Sequence, residues 1–219
     1  MIRENVQKIL NELPQGVHLV AVIKGRSTED VLSAIEGGVR VLGVNYVKDL
    51  RNLFPVIDRR VSWHYIGIAK VEKHDLLRKR YLEIFDMIET VDSIDLAKEL
   101  DRRCARIEKV MPILIEVNIG REPQKSGVDP DDVVDVIREV SSLKYLKVMG
   151  LMTMGPLIDN PERLRPYFRE MKQLFDYIKD LQIPNTEIRY LSMGMSNSYK
   201  VAIEEGANIV RIGTRLFEG

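Results

Sequence analysis

A single cysteine, Cys104, stands in the whole chain, within a charged helical pattern. One cysteine forms no intrachain disulfide and no thiolate metal cluster, and this one reads as inert. Histidine is scarce too: His18, His64 and His74 have no metal-ligand spacing. No apolar run reaches the roughly 20 residues of a membrane-spanning helix. The start, Met1-Ile2-Arg3-Glu4-Asn5, carries no secretory pattern. A cytoplasmic protein away from the membrane is expected. An excess of one charge is missing as well. Lys plus Arg is 33 and Asp plus Glu is 33, which argues against a general nucleic-acid or acidic-membrane binder. The basic run Arg78-Lys79-Arg80 reads as a solvated helix end. No low-complexity linker or break in composition divides the 219 residues. That length suits one domain with a substantial core, taken as residues 1–219.

What the chain does have is a repeated alternation of short apolar runs and helical patterns. Residues 2–13 read as a leading helix stopped by Pro14 and Gly16. Strands are expected at 19–24, 39–45, 62–67, 84–89, 113–118, 146–153, 187–192 and 209–213. Helical patterns lie between them. One is capped by Thr28 and stopped at Gly37-Gly38, one runs near 71–80, one follows Ser93, and others cover 161–180 and 197–205. Eight strands with intervening helices predict an α/β fold: a single (β/α)8 TIM barrel with an additional N-terminal helix. The competing open doubly wound sheet normally uses fewer strands. It also lacks its glycine-rich fingerprint here, since Gly25 stands alone after the first strand.

Polar residues fall at telling places in these runs. Lys24 closes Leu19-Val20-Ala21-Val22-Ile23, and Asn45 closes Val39–Val44. His64 lies inside the third strand and Arg211 inside the eighth. In a parallel barrel such positions converge on one shared site. Lys24 either snorkels from its strand end or, partly desolvated, presents a neutral amine that condenses with an aldehyde. Ser192-Met193-Gly194-Met195-Ser196 follows strand seven, and Ile212-Gly213-Thr214 follows strand eight. Barrels often bind phosphate at those two loops. The Ser196 and Thr214 hydroxyls, with backbone amides near Gly213, make an anion nest; equally, Ser196 or Asn197 caps the next helix. Arg211 needs a buried acidic partner if it is structural, or faces a ring nitrogen or substrate if it is functional. His64 reads first as a hydrogen-bonded core residue. Glu116 and Asn118 lie near the same end. Met152 and Met195 read as core that can also pack against a planar cofactor.

Taken in order, these segments resemble the pyridoxal phosphate homeostasis family, related to the N-terminal barrel of alanine racemase. The likeness is carried by Ala21-Val22-Ile23-Lys24, Gly43-Val44-Asn45-Tyr46, Ser62-Trp63-His64-Tyr65-Ile66-Gly67, Lys125-Ser126-Gly127, Val148–Met154, Leu191–Ser196 and Val210-Arg211-Ile212-Gly213-Thr214. It implies pyridoxal 5'-phosphate as cofactor, with Lys24 as its Schiff-base lysine. It further implies Ser196, Gly213 and Thr214 as phosphate contacts and Arg211 as partner of the pyridine nitrogen. Asn45 is then near the ring substituents, and His64 and Met152 line the pocket. The family usually has Glu at the Val44 position, Gln at Lys48, and a His-Leu-Gln-x-Asn-Lys stretch where this chain reads Ile68-Ala69-Lys70-Val71-Glu72-Lys73.

The implied function is intracellular cofactor homeostasis by reversible Schiff-base binding. Acceptor apoenzymes are the implied partners, and a monomer is favoured. Two further readings stand beside it. One is a minor amino-acid racemase with Lys24 as one base; the other is a phosphate-binding barrel enzyme without pyridoxal phosphate. Racemisation needs acid–base groups on both faces of the substrate carbon. The sequence ends at Gly219, just after strand eight, so a non-catalytic carrier is expected over a racemase.

Overall fold

The computed structural model describes residues 1–219. A leading helix, α1 (Ile2–Glu12), buries Val6 and Ile9. Eight strands then alternate with helices. The first half contains β1 (His18–Val22), α2 (Thr28–Gly37), β2 (Val41–Val44), α3 (Val47–Ile57), β3 (Ser62–Tyr65), α4 (Ala69–Leu76), α5 (Lys79–Leu82) and β4 (Met87–Val91). The second half contains α6 (Ile94–Ala105), β5 (Met111–Glu116), α7 (Val133–Val140), β6 (Leu146–Met152), α8 (Arg165–Asp180), β7 (Thr186–Ser192), α9 (Tyr199–Glu204), β8 (Ile209–Ile212) and α10 (Thr214–Phe217). Every strand is parallel to its neighbours, and β8 pairs back onto β1 to close the barrel. This is the (β/α)8 architecture expected from the alternation.

Several boundaries differ from the sequence reading, each for a local reason. Ile84 and Phe85 do not open the fourth strand. Their N–H groups bond back to the Tyr81 carbonyl at the end of α5, so the strand starts at Met87 and runs on through Glu89 and Thr90. The helix expected near 71–80 is two helices, because Arg78 takes an extended conformation between them. Ser27, not Thr28, caps α2, its hydroxyl accepting from Asp30 N–H at 3.1 Å. The helix expected from 197 starts at Tyr199, and neither Ser196 nor Asn197 caps it.

The core has two parts. A large cluster fills the space between the sheet and the surrounding helices, with Trp63, Phe85 and Phe168 among its largest members. A separate five-residue cluster, Val20, Met87, Leu114, Met152 and Ile209, plugs the barrel itself. Strand register explains the second. Met152 pairs with Glu116 on one side and Ser192 on the other, and Ser192 pairs with Ile209. Side chains at matched positions face the same way, so this ring points inward.

The next inward position along a strand lies two residues on. That step leads from Met87 to Glu89, from Leu114 to Glu116, and from Ile209 to Arg211. The apolar plug therefore supports a layer of polar side chains at the C-terminal end of the strands.

Two glycines allow close backbone approaches around this end. A Cβ on Gly67 would lie 2.0 Å from the Asn45 carbonyl oxygen, so only glycine lets the turn after β3 rest on the end of β2. Gly150 has φ +145°, and its Cβ would lie 1.9 Å from the Tyr190 carbonyl oxygen. The pairing of β6 shifts register on both sides near this point, a bulge that re-aims the following side chains.

Candidate functional site

A cavity of about 410 Å³ opens at the C-terminal end of the barrel. Lys24 and Asn45 line it, as do Thr90, Glu116, Thr153 and Met154. Lys24 lies two residues beyond β1, in a turn closed by Arg26 N–H on the Ile23 carbonyl. It is exposed on the cavity wall. Of the two sequence readings of this amine, the structure favours the one that carries it out of its strand end, since it is open to solvent and not desolvated. Its Nζ stands 5.6 Å from the Tyr46 ring centroid, a cation–π contact, and it makes no ion pair.

Two atoms of the lining are unusual. Asn45 Oδ1 and Thr90 Oγ1 are buried and have no hydrogen-bond partner. Buried polar atoms are nearly always paired, so both can take a hydrogen-bonding guest. Asn118, by contrast, is fully occupied: its side chain both donates to and accepts from the Glu122 backbone and closes the following loop.

Below the cavity lies a buried ionic network that the strand-end pattern only partly revealed. Arg211 is 2% exposed. Its Nη1 donates to Ser192 Oγ at 2.6 Å and its Nη2 to the Thr153 carbonyl at 2.9 Å. Ser192 Oγ donates in turn to Glu89 Oε1 at 2.5 Å. The other carboxylate oxygen of Glu89 lies 2.8 Å from His64 Nδ1. Burial pushes the Glu89 carboxyl up, but His64, Arg211 and Ser192 together outweigh it and hold the group below its ordinary value. An ionised carboxylate only accepts, so His64 Nδ1 carries the proton in this contact.

Glu89 is thus the buried acidic counterpart that a structural Arg211 requires. The sequence did not single it out, although a carboxylate flanked by Met87, Ile88 and Val91 is a visible signal. Glu116 is 6% exposed. Burial first, and then the neighbouring Asp92 charge, push its carboxyl up to about 7, against the pull of Arg211 and Lys70.

The loops after β7 and β8 come together beside β1. Ser196 Oγ accepts from Gly213 N–H at 3.3 Å and from Arg215 N–H at 3.4 Å. These are long contacts, weak by hydrogen-bond standards. Thr214 is exposed at the same turn. A Cβ on Gly213 would meet Val22 Cβ at 3.3 Å, so this turn packs against the end of the strand that leads to Lys24. Arg211 connects the turn to the cavity, since its Thr153 partner lines that wall.

Of the expected site residues, Lys24 and Asn45 lie on the cavity. Ser196, Gly213 and Thr214 gather at one turn, and His64 and Arg211 lie in the network beneath. Met152 departs from the reading that it lines the pocket. It is fully buried in the barrel plug, and Met154 takes the place on the wall. No group of three or more His, Cys, Asp or Glu side chains is placed to hold a metal ion. No helix is long and apolar enough to cross a membrane.

An eight-stranded parallel barrel with an unpaired lysine after its first strand, and hydroxyl and amide donors after its last two, is of the alanine racemase N-terminal type. Residues 1–219 match the family model described as alanine racemase, N-terminal domain. The pyridoxal phosphate homeostasis protein of Aquifex aeolicus is 34% identical over 220 residues, covering 99% of this chain and 94% of the relative. The chain belongs to the pyridoxal phosphate homeostasis protein family.

Among solved structures, PipY of Synechococcus elongatus with PLP bound superposes with a TM-score of 0.88 at 28% identity. The match covers 99% of this chain and 100% of PipY. Alanine racemase of Clostridium difficile shares the fold, with a TM-score of 0.79 at 16% identity. That match covers 98% of this chain and 56% of the racemase.

Proposed function

We propose that this protein binds pyridoxal 5'-phosphate and acts in its homeostasis, holding the cofactor reversibly and handing it to acceptor apoenzymes. The observation that carries the reading is the unpaired Lys24 amine on the cavity wall, two residues beyond the strand end on which the Gly213 turn packs. The chemistry of the donor set fits the group. The Ser196 and Thr214 hydroxyls, the Gly213 and Arg215 N–H groups and the Arg211 guanidinium are donors, which suits a phosphate and a ring nitrogen. Asn45 Oδ1 is a buried acceptor without a donor, on the same cavity wall as the amine.

When bound, pyridoxal phosphate supplies an electrophilic aldehyde carbon. Lys24 is assigned as the nucleophile that takes it covalently and reversibly. Ser196, Gly213 and Thr214 are assigned to the phosphate; the long Ser196 contacts yield readily to a charged acceptor, which forms stronger hydrogen bonds. Asn45 orients the ring substituents. His64 and Glu89 fix Ser192, which fixes Arg211. Met152 supports the floor from within the plug.

Arg211 keeps its protons, so it would donate to the ring nitrogen and leave that nitrogen an acceptor. That choice withholds the protonated ring that carbanion chemistry favours, and it supports a carrier over an enzyme. The reading places the protein in the cytoplasm as a monomer.

Borohydride reduction of the loaded protein, followed by peptide mass mapping, tests the assignment. A pyridoxyl-phosphate mass is expected on the Lys24 peptide and is lost in Lys24→Ala. An adduct found only on other lysines refutes it.

A further inference from the structure

Arg26 follows Lys24 by two residues, and its backbone N–H closes the Lys24 turn on the Ile23 carbonyl. Its side chain leaves that turn and crosses to α10. There Nη2 donates to Glu218 Oε1 at 2.5 Å, joining residues 192 apart in sequence. The guanidinium carbon also lies 5.0 Å from the Phe217 ring centroid, a cation–π contact. The Arg26 side chain is only 20% exposed, so the pair is partly shielded from water. Holding it there has a cost: Arg26 Nε is buried with no hydrogen-bond partner. An orphaned buried donor is rare and calls for a reason. An arginine serving solubility alone would swing outward and give every donor to water.

What this contact grips is the short helix that begins at the turn assigned to phosphate. α10 spans only Thr214–Phe217, and a helix of that length does not hold its shape by itself. Phe217 N–H bonds to the Gly213 carbonyl at 3.2 Å and Glu218 N–H to the Thr214 carbonyl at 2.8 Å. The two residues that Arg26 touches are therefore bonded directly to the two residues assigned to the phosphate. From α1, Asn5 Nδ2 donates to the Leu216 carbonyl at 3.2 Å, which secures α10 to the body of the protein. Arg26 adds a tie to the anchor turn.

We propose that Arg26 is a positioning residue that fixes the span between the Lys24 amine and the donors at Gly213 and Thr214. The proposal rests on Lys24 as the covalent anchor and on that turn as the phosphate site. Arg26 acts through Glu218 and Phe217 and touches no ligand. With the span fixed, a molecule carrying an aldehyde at one end and a phosphate at the other meets both groups at once. Without the clamp, α10 stays attached through Asn5, but its first residues lose their set distance from Lys24. The aldehyde end is then taken as before and the phosphate end is gripped less well. Arg26 thus governs the preference for the phosphorylated ring over the same ring without phosphate.

The test titrates the full-length protein with pyridoxal phosphate and, separately, with pyridoxal, following imine absorbance. In Arg26→Gln, affinity for pyridoxal phosphate is expected to fall several-fold while affinity for pyridoxal holds, so the preference shrinks. Glu218→Gln alters a side chain that is 58% exposed and leaves the core untouched. It should shrink the preference likewise, and the double variant should shrink it no further, because the two side chains act as one unit. Arg26→Lys, which keeps the charge, should restore part of the preference. Equal weakening of both ligands makes Arg26 merely structural and overturns the proposal, as does an unchanged preference in both single variants. The parent protein separates this failure from an earlier one. A parent that forms no imine refutes the anchor, and a parent that binds both ligands alike refutes the phosphate turn; in either case the clamp falls with it.

Discussion

Replacing Glu116 by Gln should stabilise the cofactor-free protein at alkaline pH and leave its stability unchanged in acid. Glu116 lies in the cavity wall, 6% exposed, and burial disfavours its charged form more than any other influence. Asp92 adds repulsion, while Arg211 and Lys70 offset part of the cost. The net displacement is from 4.5 to about 7. Each tenfold change in a proton equilibrium is worth ~1.4 kcal/mol, so a displacement of that size amounts to about 3 kcal/mol.

The sign follows from linkage. Between 4.5 and about 7 the native protein holds a proton at Glu116 that the unfolded chain has released. Stability therefore falls as pH rises through this window. Below it both states are protonated and no penalty exists; above it the penalty is complete. Gln carries a similar shape with no charge, so the variant avoids the penalty throughout. Urea unfolding at about pH 4 and about pH 8 checks the difference between the two proteins. The variant should gain up to about 3 kcal/mol at the higher pH and nothing at the lower. A gap that stays constant across pH, or a variant less stable at about pH 8, refutes the reasoning.

Other substitutions separate binding from folding. Ser196→Ala combined with Thr214→Ala should weaken pyridoxal phosphate binding by roughly 1.5–3 kcal/mol per lost charge-assisted contact; equilibrium titration giving the parent affinity counts against the phosphate assignment. Met152→Ala should cost ~2–5 kcal/mol of stability through the cavity it leaves in the barrel plug, measured by denaturant unfolding. Its borohydride-fixed adduct on Lys24 should persist, because Met152 does not reach the cavity.

The barrel was legible because most strands are apolar runs bounded by turns, and the places of Lys24 and Asn45 at the ends of such runs put both on the cavity wall, with His64 and Arg211 in the layer beneath. The parts that were not legible depended on tertiary contacts. Ile84 and Phe85 have strand-like side chains, but their N–H groups were claimed by the turn ending α5; with the strand displaced, Glu89 passed unnoticed. Met152 and Met154 are alike in composition and two residues apart, so only the height of the apolar plug decides that the first is buried in it and the second reaches the cavity. The choice between the two readings of Lys24 stayed open for a similar reason. An apolar run shows that a strand is buried, and says nothing of whether the turn beyond it is covered.

The plug of Val20, Met87, Leu114, Met152 and Ile209 has a bearing on traffic. It makes the barrel a vessel with a sealed base, so a guest cannot be loaded from one end while another is drawn from the other. Filling and emptying compete for the same doorway. A full vessel turns newcomers away until it has been relieved of its contents, so under the proposed carrier role its occupancy would report how often a taker has called as well as how much cofactor is present. Any taker must come to the face that carries Lys24 and Tyr46, while the opposite face is free to vary without touching the exchange.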